Sequence, residues 1–219
     1  MDVPLYGSYV YGGVATYDSD AKRQFLGVKV GDVYTKECSL EMAIGAVVHS
    51  RALVGVAVTG KAGPVDKTDL DSLGVVDVGV SIRTDVAGAG SDIPTDPSFP
   101  QTYTSISKRI NNCAADGHQA TRDVCEKYKI EAAANDKGQV SLGVLQLVRK
   151  LIRQDTVLNA VKLGLSHLDT YNCTKQDDKV VCPNLSQLCA ASYDGSYTAF
   201  GEPSWVIAQH IGQTLCAGQ

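Results

Sequence analysis

The chain has 219 residues, 44% of them hydrophobic and 20% charged, which is enough to bury a full core in one large domain or in one domain with an appendage. A formal net charge of −4 and a pI near 5.5 argue against nucleic acid as a partner, because phosphate binding needs clustered Lys and Arg. No apolar run approaches the ~20 residues that span a bilayer, and the first residues lack the basic and apolar regions of a signal peptide, so the chain reads as soluble with no membrane insertion.

Residues 9 to 17, with Tyr9, Val10, Tyr11, Val14 and Tyr17 around Gly12-Gly13, read as a kinked strand. A short helix over Ala21 to Leu26 follows, with Ser19 or Asp20 as its cap and Gly27 as its end. From Ser39, a plausible cap, the apolar positions Met42, Ala43, Ala46 and Val47 recur at helical spacing. That helix leads into the continuous apolar run Leu53 to Val58, and a second such run extends from Gly74 to Ile82 after a short polar loop. Two buried strands separated from helices are the mark of an α/β sheet.

Between Arg83 and Tyr103 the Gly, Ala, Asp, Ser and Pro content predicts a loop. Residues 118 to 133 read as helix, and Val140, Leu142, Val144, Leu145, Val148, Leu151 and Ile152 mark an amphipathic helix with Arg149, Lys150 and Arg153 near its end. A helical segment from Asp155 to about His167 and a Cys- and Tyr-rich tail complete the chain.

Of the seven cysteines, one lies in the first half and four lie beyond residue 170. Cys113, Cys125, Cys173, Cys182, Cys189 and Cys216 are disulfide candidates if the compartment oxidises, and local staples in the C-terminal part are expected. Free buried thiols are the competing reading. Metal fits poorly, since no Cys-x-x-Cys pair occurs, and His49, His118, His167 and His210 are scattered as surface or structural histidines are. Asn172-Cys173-Thr174 and Asn184-Leu185-Ser186 match the glycosylation acceptor pattern.

Three stretches carry a family likeness: Gly12-Gly13-Val14-Ala15-Thr16-Tyr17 with Ala21-Lys22-Arg23, Glu41 to Ala46, and Ala57-Val58-Thr59-Gly60-Lys61-Ala62-Gly63-Pro64. Together they resemble the C-terminal domain of the competence-damage-inducible (CinA) family, whose members hydrolyse the amide of nicotinamide mononucleotide. The likeness covers residues 2 to 82 and, more loosely, 131 to 153. It implies an α/β fold: a three-layer sandwich with a mostly parallel central sheet over residues 1–154, a loop insertion at about 83–117, and a Cys-containing C-terminal extension over 155–219.

The resemblance also assigns roles. Lys22 would be the general base or charge stabiliser of a serine hydrolase and Tyr17 a positioning group. Thr59, Gly60, Ala62 and Gly63 would line the substrate pocket, where amides of a Gly-rich turn cradle a phosphate or carboxylate. Lys137 stands in for the family's phosphate-holding Arg, as a point charge and not a fork. No cofactor is implied.

The family's Glu-Ser-Cys-Thr-Gly-Gly motif, with the nucleophile, occurs nowhere in these residues, and Asp66 and Asp69 place negative charge where the family has glycines. The expectation is therefore a domain whose first strand and helix are missing. Such a domain would be a catalytically degenerate structural or interaction subunit, paired with other chains of an assembly or with itself. The alternative is a nicotinamide mononucleotide amidohydrolase whose nucleophile segment is supplied upstream or by another chain.

Overall fold

A three-stranded antiparallel sheet carries helices on both faces in the computed structural model, which describes residues 10–50, 52, 54–83, 103–171, 174–176 and 179–181. The strands are β1 (Val54–Gly60), β2 (Val75–Arg83) and β3 (Tyr103–Asn111), in that order across the sheet. The helices are α1 (Ser19–Leu26), α2 (Lys36–Val48), α3 (Gln119–Ala134) and α4 (Leu142–Tyr171). A separate hairpin pairs β4 (Thr174–Gln176) with β5 (Lys179–Val181).

Both helix starts differ from the sequence reading because an earlier residue takes the cap. Asp18, in extended conformation, accepts the Asp20 N–H at 2.7 Å, so α1 begins at Ser19. Thr35 Oγ1 accepts the Cys38 N–H at 3.1 Å and starts α2 ahead of Ser39, whose hydroxyl instead donates to Lys36 O inside the helix. Gly27, at φ 68°, closes α1 in the left-handed conformation, as expected.

The strand predicted at residues 9 to 17 is not formed over residues 10–17, and Tyr11, Val14 and Tyr17 are exposed there. Strand propensity expresses packing and pairing on a pleated surface, and no described strand lies alongside to supply either. A strand the sequence reading did not place, β3, sits in the predicted insertion.

The pairing is antiparallel throughout, with Val56 opposite Val80, Thr59 opposite Asp77 and Asp77 opposite Arg109. The mostly parallel sheet implied by the resemblance is not what these three strands form. A parallel crossover needs a dozen or more residues and usually a helix across the face. The link between β1 and β2 holds only a 3-10 turn over Lys67–Ser72 and returns directly along the neighbouring position.

The two faces of the sheet differ in residue size. Toward α2 stand Gly55, Ala57, Thr59, Asp77, Gly79 and Ser81; a methyl group added at Gly79 would lie 2.1 Å from the Ser39 carbonyl oxygen, so the helix backbone rests on the strand itself. Toward α3 and α4 stand Val76, Val78, Val80, Ile82 and Ile110, in one core with Cys125, Tyr128, Ala132, Val144, Val148 and Ile152. A smaller cluster of Leu26, Val28, Cys38, Met42, Ala43 and Ala57 lies under α1 and α2.

The helix α4 runs unbroken through Asp155, so the boundary drawn from sequence between 154 and 155 falls inside it. Cys113 and Cys125 form a disulfide between the turn after β3 and α3, while Cys38 is a free, fully buried thiol. The candidates Cys173, Cys182, Cys189 and Cys216 lie outside the described residues. Among the described residues, no helix is long and apolar enough to cross a membrane, and no group of three His, Cys, Asp or Glu could hold a metal ion.

Candidate functional site

The residues singled out by sequence fall in two places. Lys22 and Thr59 are both buried on the α1–α2 side of the sheet. Lys22 projects from α1, and its ammonium donates to the carbonyl oxygens of Thr16 at 2.5 Å and Tyr17 at 3.3 Å. Tyr17 takes part only through its backbone, since its side chain is 97% exposed. Beside Lys22 lies Cys38, whose thiol is pushed up in pKa by burial, with the Lys22 charge pulling the other way.

Thr59, near the end of β1, turns its hydroxyl inward and donates to Val33 O at 2.6 Å. Across the sheet the same row continues through Asp77 to Arg109. Arg109 grips the buried Asp77 carboxylate with two bonds, Nε at 2.9 Å and Nη2 at 2.7 Å, and also donates to Tyr34 O at 2.9 Å. This pairing raises the already high Arg109 pKa, chiefly through the hydrogen bonds to Asp77. Thr59 and Arg109 thereby tie down the loop between α1 and α2, which covers this end of the sheet. Glu41 fastens the same loop from α2, accepting the Lys29 and Val30 N–H groups at 2.6 and 3.1 Å.

The Gly-rich turn beyond Thr59 points the other way. Gly63 is buried, with Gly63–Pro64 in the cis form, and a methyl group added to it would lie 3.3 Å from Leu73, 3.5 Å from Leu145 and 3.8 Å from Tyr128 side-chain carbons. Its carbonyl accepts a hydrogen bond from Arg149 of α4, and the next free amide, Val65 N–H, donates to the Tyr128 hydroxyl at 3.1 Å. The turn is thus fastened to α4 through the Gly63 carbonyl and to α3 through the Val65 amide, while the Lys61 N–H donates to Val75 O of β2 at 3.0 Å. Ala62 packs against the larger core, and Gly60 sits against Val75 and Val76.

Lys137 is exposed in the turn between α3 and α4, its own N–H donating to Asn135 Oδ1 at 2.9 Å. That turn is held by Lys67, which donates to Asp136 O at 2.8 Å. Lys137 thus stands on the α3–α4 side of the sheet, away from Lys22. Asp66 and Asp69, noted for their charge, are used locally: Asp66 caps the 3-10 turn and Asp69 pairs with Lys61 at 2.8 Å. Hydrogen bonds from Thr68 hold the Asp66 carboxyl below its ordinary pKa, and those from Lys61 and Ser72 do the same for Asp69.

One buried polar atom here is unmatched: Thr16 Oγ1 has no hydrogen-bond partner among the described residues. Sequence reasoning did not find Cys38, Arg109, Tyr128 or Arg149 as members of this region. Only the alignment of helices against the sheet brings them in, and no local spacing signals it.

The family description "CinA C-terminal domain" matches residues 1–98, which hold Tyr17, Lys22 and the Thr59 to Gly63 turn but not Lys137. The chain is similar to the CinA-like protein of Leptospira interrogans serogroup Icterohaemorrhagiae serovar copenhageni, 35% identical over 38% of this chain and 21% of that protein. It is also similar to the CinA-like protein of Chlorobium phaeobacteroides, 32% identical over 43% of this chain and 24% of the other. The matched part therefore spans between a fifth and a quarter of these relatives. Among solved structures, the competence/damage inducible protein CihA from Agrobacterium tumefaciens aligns with a TM-score of 0.34 and 23% identity over 66% of each chain.

Proposed function

We propose, for a chain whose residues 1–98 are a CinA C-terminal domain, that the catalytic positions of the family serve here as internal structure and that the domain acts as an interaction subunit. The observation that carries this reading is the direction of the polar groups. Thr59 bonds Val33, Lys22 bonds two carbonyls of its own segment, and the Gly63 carbonyl is taken by Arg149. An anion-binding site needs its donors free, and here the Thr59 hydroxyl and the Lys22 ammonium are both spent on the chain's own carbonyls.

The edge of β1, unpaired among the described residues, fits an interaction role. Val56 and Val58, on the face shared with α3 and α4, remain 48% and 40% exposed because those helices cover β2 and β3 instead. An unpaired edge with apolar residues is a template for a further strand. In this reading the antiparallel strands described here are part of a larger three-layer, mostly parallel sheet completed by another protein chain.

A second reading, an amidohydrolase acting on nicotinamide mononucleotide with its nucleophile on another segment or chain, draws on the unmatched Thr16 hydroxyl. A buried hydroxyl without a partner, next to a buried ammonium, is a place where a ligand group would gain a bond.

Incubating the folded chain with nicotinamide mononucleotide and measuring the acid product and ammonia separates the two. The structural reading expects no turnover. Turnover that disappears in Lys22→Ala overturns it and establishes the second.

A further inference from the structure

A cavity of about 210 Å³ opens between the turn preceding α3 and the middle of α4, outside the family-matched region. Asp155, Leu158, Asn159 and Lys162 line it from α4, at the i, i+3, i+4, i+7 spacing of one helix face, and Asp116 and His118 line it from the turn. We propose that this cavity binds a phosphate group, held by His118 and Lys162.

The argument rests on which polar groups are already used. Asp155 is almost fully buried, and its two oxygens face inward: Oδ2 accepts the His118 N–H at 2.8 Å and Oδ1 lies 2.5 Å from His118 Nδ1. Thr121 adds a side-chain hydrogen bond to the same carboxylate. Asp116 is likewise engaged, accepting the Asn111 N–H at 2.9 Å with Lys108 3.7 Å away. Asn159 gives its amide to Asp116 O at 3.0 Å and lies 3.4 Å from Asn112 Oδ1. Arg122 bonds Gly117 O and Gln119 Oε1.

Two charged donors of the lining remain unspent. With Nδ1 fixed on Asp155, His118 presents Nε2 on a side chain 64% exposed. The Lys162 ammonium has no hydrogen bond or ion pair among the described residues. The bonds of the first turn of α3 run from Thr121 and Arg122 to His118 O, leaving the Gln119 and Ala120 N–H groups at the positive end of a 16-residue helix. A concavity that offers an imidazole nitrogen and a lysine ammonium, with Asp155 bonded on both oxygens and Asp116 paired with Lys108, can meet an oxyanion with charged donors.

Size and rigidity agree with this. The volume is below the ~300 Å³ at which drug-sized ligand sites begin and is ample for a phosphate group. The turn is pinned by the Cys113–Cys125 disulfide and by the fully buried Asn112, which donates to Gly74 O at 3.2 Å and Thr156 Oγ1 at 2.9 Å. An oxyanion would therefore meet a preformed site.

The test is titration of inorganic phosphate, with phenyl phosphate in parallel, into the full chain at about pH 6. The readout is the NMR signal of the His118 imidazole. Saturable shifts at His118 and in the first turn of α3 are expected, with affinity reduced about tenfold in Lys162→Ala and unchanged in the control Lys150→Ala on another face of α4. His118→Gln should abolish binding, and since that change also strips Asp155 of a partner, the exposed Lys162 variant keeps the test independent of folding. Tighter phenyl phosphate would make the ligand a phosphorylated small molecule, and equal affinity would make it the free ion; either supports the site. An unsaturable response, or equal losses in the Lys162 and Lys150 variants, overturns the proposal.

Discussion

Asp155 joins α4 to the start of α3 through a single carboxylate, and its protonation has a definite cost. Burial alone would raise its pKa, but the bonds from Thr121 and from the His118 N–H and ring outweigh it and hold the carboxyl below its ordinary value. A carboxyl lowered in the folded state contributes stability above its unfolded pKa of about 3.9 and loses it as pH falls through the lower folded value. Asp155→Asn is therefore expected to cost about 1–3 kcal/mol at neutral pH. The gap between variant and parent should narrow below about pH 4, because the parent then loses what the variant lacks. Urea unfolding across that range measures it, and a gap that stays constant to about pH 3 contradicts the account. The sequence could not reveal this residue: its partner His118 is 37 positions away, and an aspartate inside a helix carries no local sign of what it caps. Lys22 and Thr59 could be picked out from motif alone, but whether their polar atoms face a ligand or the chain itself depended on the carbonyls of Thr16 and Tyr17 for the one and of Val33 for the other.

At the scale of elements, the contact between α2 and β2 depends on the absence of side chains. Gly79→Ala would place a methyl group against the Ser39 carbonyl, on backbone that cannot rotate away, and should destabilise the protein by about 2–3 kcal/mol. Gly143→Ala is the contrasting change, since Gly143 lies in α4 with nothing within 4 Å of the added carbon, and it should stabilise by about 0.5–1 kcal/mol. Chemical denaturation of both variants checks the pair, and equal effects would show that helix–sheet approach is not the constraint. The same elements show what a sequence can convey. The helix α1 was legible from its cap and closing glycine, and α2, the first part of α4 and strands β1 and β2 from an apolar run or period of their own. Residues 10–17 had the composition of a strand but no pairing partner among the described strands, and β3 had a partner without the composition: its Ser, Lys and Arg residues sit on a strand at the edge of the described sheet, buried fully only at Ile110. Pairing order and direction, the properties that distinguish this sheet from a parallel one, are long-range and leave no periodic trace.

Over the whole molecule, stability is distributed unevenly about the sheet. One face carries the large cluster that joins β2 and β3 to α3 and α4, reinforced by the disulfide; the other carries the small cluster beneath α1 and α2. The strand β2 belongs to both sides, with Val78, Val80 and Ser81 fully buried and a hydrogen-bonded neighbour on each flank. Local opening follows such differences, because a segment can detach without global unfolding when little apolar surface is exposed by its release. The eight residues of α1 contribute Lys22 and Leu26 to the interior and little else. Native-state hydrogen exchange should therefore find the α1 amides opening first, by a route insensitive to mutations in the larger core, and the β2 amides exchanging only through global unfolding. Val148→Ala, which opens a cavity in that core, should accelerate β2 exchange by its full destabilisation, about 1–3 kcal/mol, and leave α1 unchanged. If α1 and β2 instead slowed and accelerated together, the two faces would form one cooperative unit. The loop tied by Thr59, Arg109 and Glu41 would then be what couples them.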